Sequence, residues 1–413
     1  MNLYGELMSD TVVLPAIRRL VDAHQHWMQA EKYYFDPNKF RIEINSLIQT
    51  LRNVTFALQN VKHHIPDFDS WYGKWQEKMR ADEHLRWLVN ARNKIVKQGD
   101  LELFSILRVS ILGSYRDDEV PYKEFKLSPS LTNKFILMDA KKSGVPKEIL
   151  KDAYLKIERR WIEKEDPKTE MLEKLAHCWA VLGEVLLDAQ RQCGEEIGEK
   201  LEISGPPLCM KKYSETRSQW MKVSSGKIDD LAMKSVKMTD KISNRAKERY
   251  KIPESPQAPE SLRGKCNFFF SMAREVLQKD GYHITIAAIF HDHHIKFVQI
   301  APEDQADKFR MMRVIADEVE VLRATSLIFI GEIWMAKFDP SHPFRRAAES
   351  PERTEALQLI GMSIDGERIV LIAPFKKVKK KVVLEETIES SYEGTNILAP
   401  VESLWARWKK DHS

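Results

Sequence analysis

The stretch HITIAAIFHDHHIKFVQIA, residues 283–301, decides what kind of fold this chain has. In HITIAAIF (283–290) and IKFVQIA (295–301), apolar residues recur at every second position or in short runs, the pattern of strands whose side chains alternate between two faces. The polar turn between them, His291-Asp292-His293-His294, makes the pair a hairpin. Downstream, Phe309, Met312, Ile315, Val319 and Leu322 step at three and four residues, which predicts one helix. Three further strands follow in SLIFIGEIWMAKF (326–338), ALQLIGMSI (356–364) and RIVLIAPF (368–375). The last two flank Asp365-Gly366, a dipeptide suited to a tight hairpin because glycine tolerates positive φ. The order strand-strand-helix-strand-strand-strand predicts a small α+β domain, and SLWARWKKDHS at the end predicts a short terminal helix.

Upstream of the hairpin the period changes. IPESPQAPES (252–261) carries three prolines and reads as an extended spacer. Before it, PPLCMKKYSETRSQWMKVSSGKIDD is basic and polar and leads into a weakly amphipathic helix bearing Ile228, Leu231, Val236 and Ile242. The first half of the chain has helical stripes instead: Leu47, Leu51, Val54, Leu58 and Val61, then Leu172, Leu175, Trp179, Leu182, Leu186 and Ala189. Asp10 or Thr11 is a candidate cap for the first helix, and Pro37 and Pro146 mark further helix boundaries. The expected chain is multidomain, with an N-terminal all-α helical bundle over 1–204, a basic segment and linker over 205–261, and a small α+β domain with a basic tail over 262–413.

Composition bounds the function. With 413 residues, 43% hydrophobic and 31% charged, the chain is globular, and a net charge of +4 makes any nucleic-acid argument local. Cys178, Cys193, Cys209 and Cys266 form no close pair, which fits neither a zinc ribbon nor a disulfide framework and implies a reducing, cytoplasmic setting. There is no run of about 18 apolar residues and no export signal, so no membrane partner is expected. Gly-rich phosphate loops, HExxH and GxSxG are absent from the sequence, and no cofactor is expected.

In LVNARNKIVKQGDL (88–101), an amphipathic helix breaks at a glycine just after Arg92-Asn93 and Lys97. An arginine and a polar residue near a helix end, then a β-branched pair and Gly-Asp-Leu, resemble the HEPN superfamily of helical domains. The resemblance covers the helical architecture of roughly 1–200. It implies metal-independent RNA cleavage in which the arginine steadies phosphate charge and a downstream histidine moves a proton, a task matched to a pKa of about 6.5. Here Arg92 and Asn93 match, and Lys97 stands where the histidine is expected. A lysine near 10.4 is not equivalent, so Arg92 and Lys97 would hold an RNA backbone without cutting it. The structural alternative pairs Arg92 with Asp82 or Glu83. His84, about two turns earlier on the same helix, is the nearby imidazole, read as an ordinary partly buried side chain. The resemblance also implies a homodimer through the helical domain.

Two other stretches carry chemistry. His291 and His293 in the hairpin are candidate metal ligands, with Glu332 or His342 as a third, against the reading of a polar hairpin tip. FKKVKKKVV (375–383) gathers Lys376, Lys377, Lys379, Lys380 and Lys381, either a phosphate-attracting patch or a sheet edge protected by lysines. A strand with Glu332 and Trp334, a Pro-rich loop, and Arg353 and Glu355 opening the next strand resemble an uncharacterised bacterial and phage family over roughly 283–375. Arg353 is expected to pair with Glu332, and Trp334 to anchor the loop by burial. The expected function is a non-catalytic or degenerate HEPN-like binding or assembly module for RNA or a protein partner, in a bacterial stress or phage-defence setting. The alternatives are an active ribonuclease using Arg92 and a metal-dependent activity at the 291–294 hairpin.

Overall fold

A computed structural model describes residues 11–99, 101, 103–116, 123–126, 130–163, 166–195, 206–207, 209–210, 217–228, 244, 248–250, 259–291, 294–379, 381–391 and 396–411. Asp10, Asp292, His293, Lys380 and most of the 205–261 segment lie outside the described residues. The chain divides into two compact units that interleave along the sequence. The first holds Met1–Ser110, Glu124–Ser143 and Leu155–Met221; the second holds Ile111–Lys123, Gly144–Tyr154 and Lys222–Ser413.

The first unit is built on five helices: α1 (Leu14–Lys32), α2 (Pro37–Asn60), α3 (Phe68–Ala81), α4 (Glu83–Gln98) and α7 (Met171–Gln192). Each buries one stripe, Ile17, Leu20 and Trp27 on α1, Phe40, Ile44, Leu47, Leu51 and Leu58 on α2, and Leu172, Leu175, Trp179, Leu182 and Leu186 on α7, and these stripes merge into one core. The indoles inside it are satisfied by helix carbonyls, Trp27 donating to Leu172 O and Trp179 to Leu20 O. Pro37 opens α2, where the Asp36 side chain accepts from Lys39 N. At the first helix the cap is Val13 rather than Thr11, whose hydroxyl accepts from Val13 N and donates to Glu195.

The helical description of residues 1–204 has to admit strands. β1 (Leu103–Leu112), β2 (Lys123–Lys126), β3 (Tyr154–Glu163) and β4 (Arg217–Lys222) form a sheet in the order β2-β1-β3-β4, with α5 (Asn133–Lys141) and the single turn α6 (Lys147–Leu150) between β2 and β3. The unit boundaries cut the ends of β1, β3 and β4. In β3 a charged outer face hides the strand from a hydropathy reading: Lys156, Glu158 and Arg160 alternate with the buried Leu155, Ile157, Arg159 and Trp161. β4 falls in the segment read as basic and polar.

In the second unit the expected strands appear as β5 (Thr285–His291), β6 (His294–Ile300), β7 (Ser326–Met335), β8 (Thr354–Ser363) and β9 (Arg368–Val378), and the predicted helix as α9 (Gln305–Leu322). They form an antiparallel sheet in the order β10-β9-β8-β7-β5-β6, with β10 (Lys381–Leu384) and β11 (Ile388–Ser390) both pairing β9. Period two places Ala287, Ile289, Leu327 and Phe329 on one face, covered by α9 and the terminal helix α10 (Ala399–Asp411). Ala288, Phe290, Ile328 and Ile330 line the other, covered by α8 (Leu262–Asp280). Helix α8 comes so close to β8 that a Cβ at Gly361 would collide with Cys266 Sγ. The Asp365-Gly366 turn joins β8 to β9 with Gly366 at φ 101°. Tyr154 and Lys222 join this unit through one carboxylate: Tyr154 OH donates to Asp307 Oδ1 at 2.8 Å, and Lys222 Nζ lies 2.7 Å from the same oxygen. No described helix is long and apolar enough to cross a membrane.

Candidate functional site

Helix α4 is the segment where the motif singled out from sequence meets a cleft. Asp82 starts it by accepting from Leu85 N, and Gly99, at φ 106°, ends it. Leu85, Leu88, Ala91 and Ile95 face the core, which turns the intervening polar residues outward. Glu83, Arg86, Trp87, Asn90, Ala91, Asn93, Lys94 and Lys97, together with Glu163 at the end of β3, line a cleft of about 550 Å³. Three of these side chains are cationic and two acidic. Arg86 is fixed from below, its Nη1 donating to Arg80 O at 2.6 Å and Ala81 O at 2.8 Å at the end of α3.

Asn93 and Lys97 are brought together on this wall, but Arg92 is not. At about 100° per residue, Arg92 and Lys97 lie about 140° apart around the helix. The Arg92 guanidinium sits 6.0 Å from the Phe56 ring of α2, and its only hydrogen bond among the described residues runs to the Asn93 side chain at 3.5 Å. The acids expected to pair with it are engaged elsewhere. Asp82 lies 2.6 Å from His177 Nε2 as well as capping the helix, and Glu83 lines the cleft. His84 turns toward α7, its ring 5.1 Å from that of His177; burial, then the His177 charge, lowers its pKa below the ordinary histidine value.

Behind the cleft lies a buried ionic cluster. Lys174 of α7 is 2% exposed, with its ammonium 4.6 Å from the centre of the Trp87 ring, 2.7 Å from Asp166 Oδ2 and 3.8 Å from Glu163 Oε2. Burial raises the Asp166 pKa, but the Lys174 and Thr169 hydrogen bonds outweigh it and bring the carboxyl down to about 2. Glu163 is itself 6% exposed and meets Lys94 only at 4.0 Å. Its Oε2 and the Trp87 Nε1 are buried without a hydrogen-bond partner. The sequence shows a polar stripe on α4 in Arg86, Asn90, Asn93 and Lys97, but nothing in it assigns Glu163 or Lys174 to the same place.

The other candidate residues are separated from this site in the sequence and are described within their own sheet. His291 and His294 face each other across the β5-β6 hairpin, ring centres 5.7 Å apart; His293 lies outside the described residues. Glu332 accepts from His283 N at 2.6 Å, and His342 is held by Asp339 and Ser341. Among the described residues no three His, Cys, Asp or Glu side chains come together as a metal would need. Along the lysine run, Lys376 lies 3.4 Å from Glu385, and Lys377 lies 3.8 Å from both Glu332 and Glu355. Lys379 takes the turn at φ 46°, and Lys381 begins the edge strand β10. Two expectations are corrected here. Glu332 pairs with Lys377 rather than Arg353, whose guanidinium lies 4.7 Å from the centre of the Trp334 ring. Trp334 is 43% exposed, so stacking under Arg353, and not burial, holds it.

The family model described as bacteriophage lambda protein ea47 matches residues 10–413. The chain belongs to this ea47 family. It is 30% identical to protein ea47 of Escherichia phage lambda over 392 residues, 91% of this chain and 92% of that protein. No solved structure matches the chain. Membership in the ea47 family covers the α4 cleft and the antiparallel sheet alike, so both belong to one phage-protein lineage. It also gives a coarser placement to the bacterial and phage resemblance read from residues 283–375.

Proposed function

We propose that this ea47-family chain is a non-catalytic binding module whose α4 cleft holds the backbone of RNA. The observation that carries this reading is the row of Arg86, Asn90, Asn93, Lys94 and Lys97 along one wall of an open cleft. Lysines there act as point charges for phosphates, and asparagine amides donate to phosphate and ribose oxygens. Binding is favoured over cleavage because Arg92 is turned toward Phe56 while Lys97 faces the cleft, so an arginine and a proton-transferring partner do not converge on one phosphate. The HEPN-like resemblance of the helical region belongs with this reading in its degenerate form, a surface that retains contact with RNA after losing the histidine.

The test is fluorescence anisotropy of a labelled single-stranded RNA titrated with the protein at several salt concentrations, beside gels of the same RNA with and without a chelator. Binding weakened several-fold in Lys94→Ala and Lys97→Ala, with a salt slope reduced by about one for each lysine, is the expected result. RNA cleavage that survives chelation and is lost in Arg92→Ala would replace the proposal with a ribonuclease.

A further inference from the structure

Glu163 is in an unusual position for a carboxylate. It is 6% exposed, at the end of β3, and its backbone O accepts from Asp166 N. Two ammonium groups face it, Lys174 at 3.8 Å from Oε2 and Lys94 at 4.0 Å from Oε1, both beyond hydrogen-bonding distance. The charge is therefore compensated, while the lone pairs of Oε2 accept no hydrogen bond. A buried acceptor left in that condition destabilises the fold, and a correctly placed donor recovers the loss. The neighbouring Trp87 Nε1 is the converse, a buried donor without an acceptor. Both residues line the cleft, as do the Asn90 and Asn93 amides.

A ligand with two adjacent N–H donors for the carboxylate and an acceptor beside them for a protein donor would complete this wall. The hydrogen-bonding edges of the four RNA bases decide among them. Guanine has N1–H and N2–H side by side with O6 next to them; adenine and cytosine each set a donor against a ring acceptor, and uracil has a single donor between two acceptors. We infer that the α4 cleft reads an unpaired guanine, with Glu163 accepting from N1–H and N2–H and with Trp87 or the asparagines donating to O6. Entry of the base displaces the Lys94 ammonium from Oε1. That contact is long and the Lys94 side chain is 43% exposed, so the displaced ammonium reaches solvent or the adjoining phosphate. Lys174 stays beneath and keeps the carboxylate compensated. This inference rests on the RNA-binding reading of the same cleft and adds base selectivity to it.

The experiment uses the full chain and three labelled single-stranded probes: an oligouridylate, the same strand with one central guanosine, and the same strand with inosine at that position. Inosine keeps N1–H and O6 and lacks only the N2 amino group. The expected result is affinity about tenfold or more higher for the guanosine strand than for oligouridylate, with inosine intermediate. Glu163→Gln abolishes that preference, read as the ratio of guanosine-strand to oligouridylate affinity within the variant. Equal affinity for all three strands overturns guanine reading and leaves backbone binding standing. Failure to bind any strand at low salt removes backbone binding, and guanine reading with it. Because the three-probe series on the unsubstituted protein is decisive alone, the test survives a Glu163→Gln variant that does not fold.

Discussion

The ammonium of Lys174 lies 2.7 Å from Asp166 Oδ2 with only 2% of the lysine side chain exposed. Helix α7 thus meets the segment after β3 over a buried cation, and the same cation lies against the Trp87 ring of α4. Removing one partner of such a group strands the others in a poorly solvated place. Lys174→Met should destabilise the protein by about 3 kcal/mol, read as a lowered urea midpoint. Adding Glu163→Gln should recover part of that loss, since the stranded carboxylate is then gone. Equal or additive losses in the two backgrounds would mean that Lys174 and Glu163 do not act as a unit.

Glu170 gives a pH dependence with a defined sign. It caps α7 by accepting from Leu172 N and Glu173 N and also accepts from Tyr34 OH. Burial pushes its carboxyl up to about 7, against the opposing pull of Arg217 and of these hydrogen bonds. A carboxyl whose pKa rises on folding stabilises the fold fully below its unfolded pKa of about 4.3, and that contribution is lost as pH rises through about 7. Stability measured between pH 4.5 and pH 8 should therefore decline by an amount on the order of 2–3 kcal/mol from this group. Glu170→Gln should flatten that part of the profile and show its relative gain at pH 8; parallel profiles for the two proteins would exclude this assignment.

Gly361 is predicted to be a steric requirement of the second unit. Gly361→Ala directs a methyl group at Cys266 Sγ and should cost about 1–3 kcal/mol. Cys266→Ala removes the sulfur, so the double variant should lose less than the sum of the single variants in chemical denaturation. Strict additivity would mean that α8 shifts away instead.

Arg92 and Lys97 separate the binding and cleavage readings. Both lie on the outward side of α4, so alanine at either position should change stability by no more than about 0.5 kcal/mol. Lys97→Ala should weaken RNA binding several-fold, whereas Arg92→Ala, which loses its contact with Phe56, should leave it nearly unchanged. The reverse ranking in anisotropy titrations would move the binding surface to the α2 side of the helix.

Local pattern was enough for the second unit. The short apolar runs of β5 and β7–β9, the Asp365-Gly366 turn and the period of α9 are short-range properties, and each appears in the structure where its residues predict it. Helix α8 and strands β10 and β11 were not legible. The Phe268-Phe269-Phe270 run of α8 breaks a simple stripe, and β10 lies in a lysine run whose charges Lys376 and Lys377 meet on Glu385, Glu332 and Glu355, residues remote in sequence from each other.

In the first unit the stripes of α2 and α7 are set by local spacing in the sequence, because burying an apolar face depends on residues three and four apart. Strand β3 is not, because its charged outer face conceals the period and only pairing within a sheet makes it advantageous. The same distinction divides the candidate site. The sequence alone places Asn93 and Lys97 on one helix face and Arg92 on another, since the helix rotates about 100° per residue. That Glu163 of β3 and Lys174 of α7 stand beside Trp87 is decided by tertiary structure alone: a buried charge acquires its partners from whatever elements pack against it, and those contacts have no period along the chain.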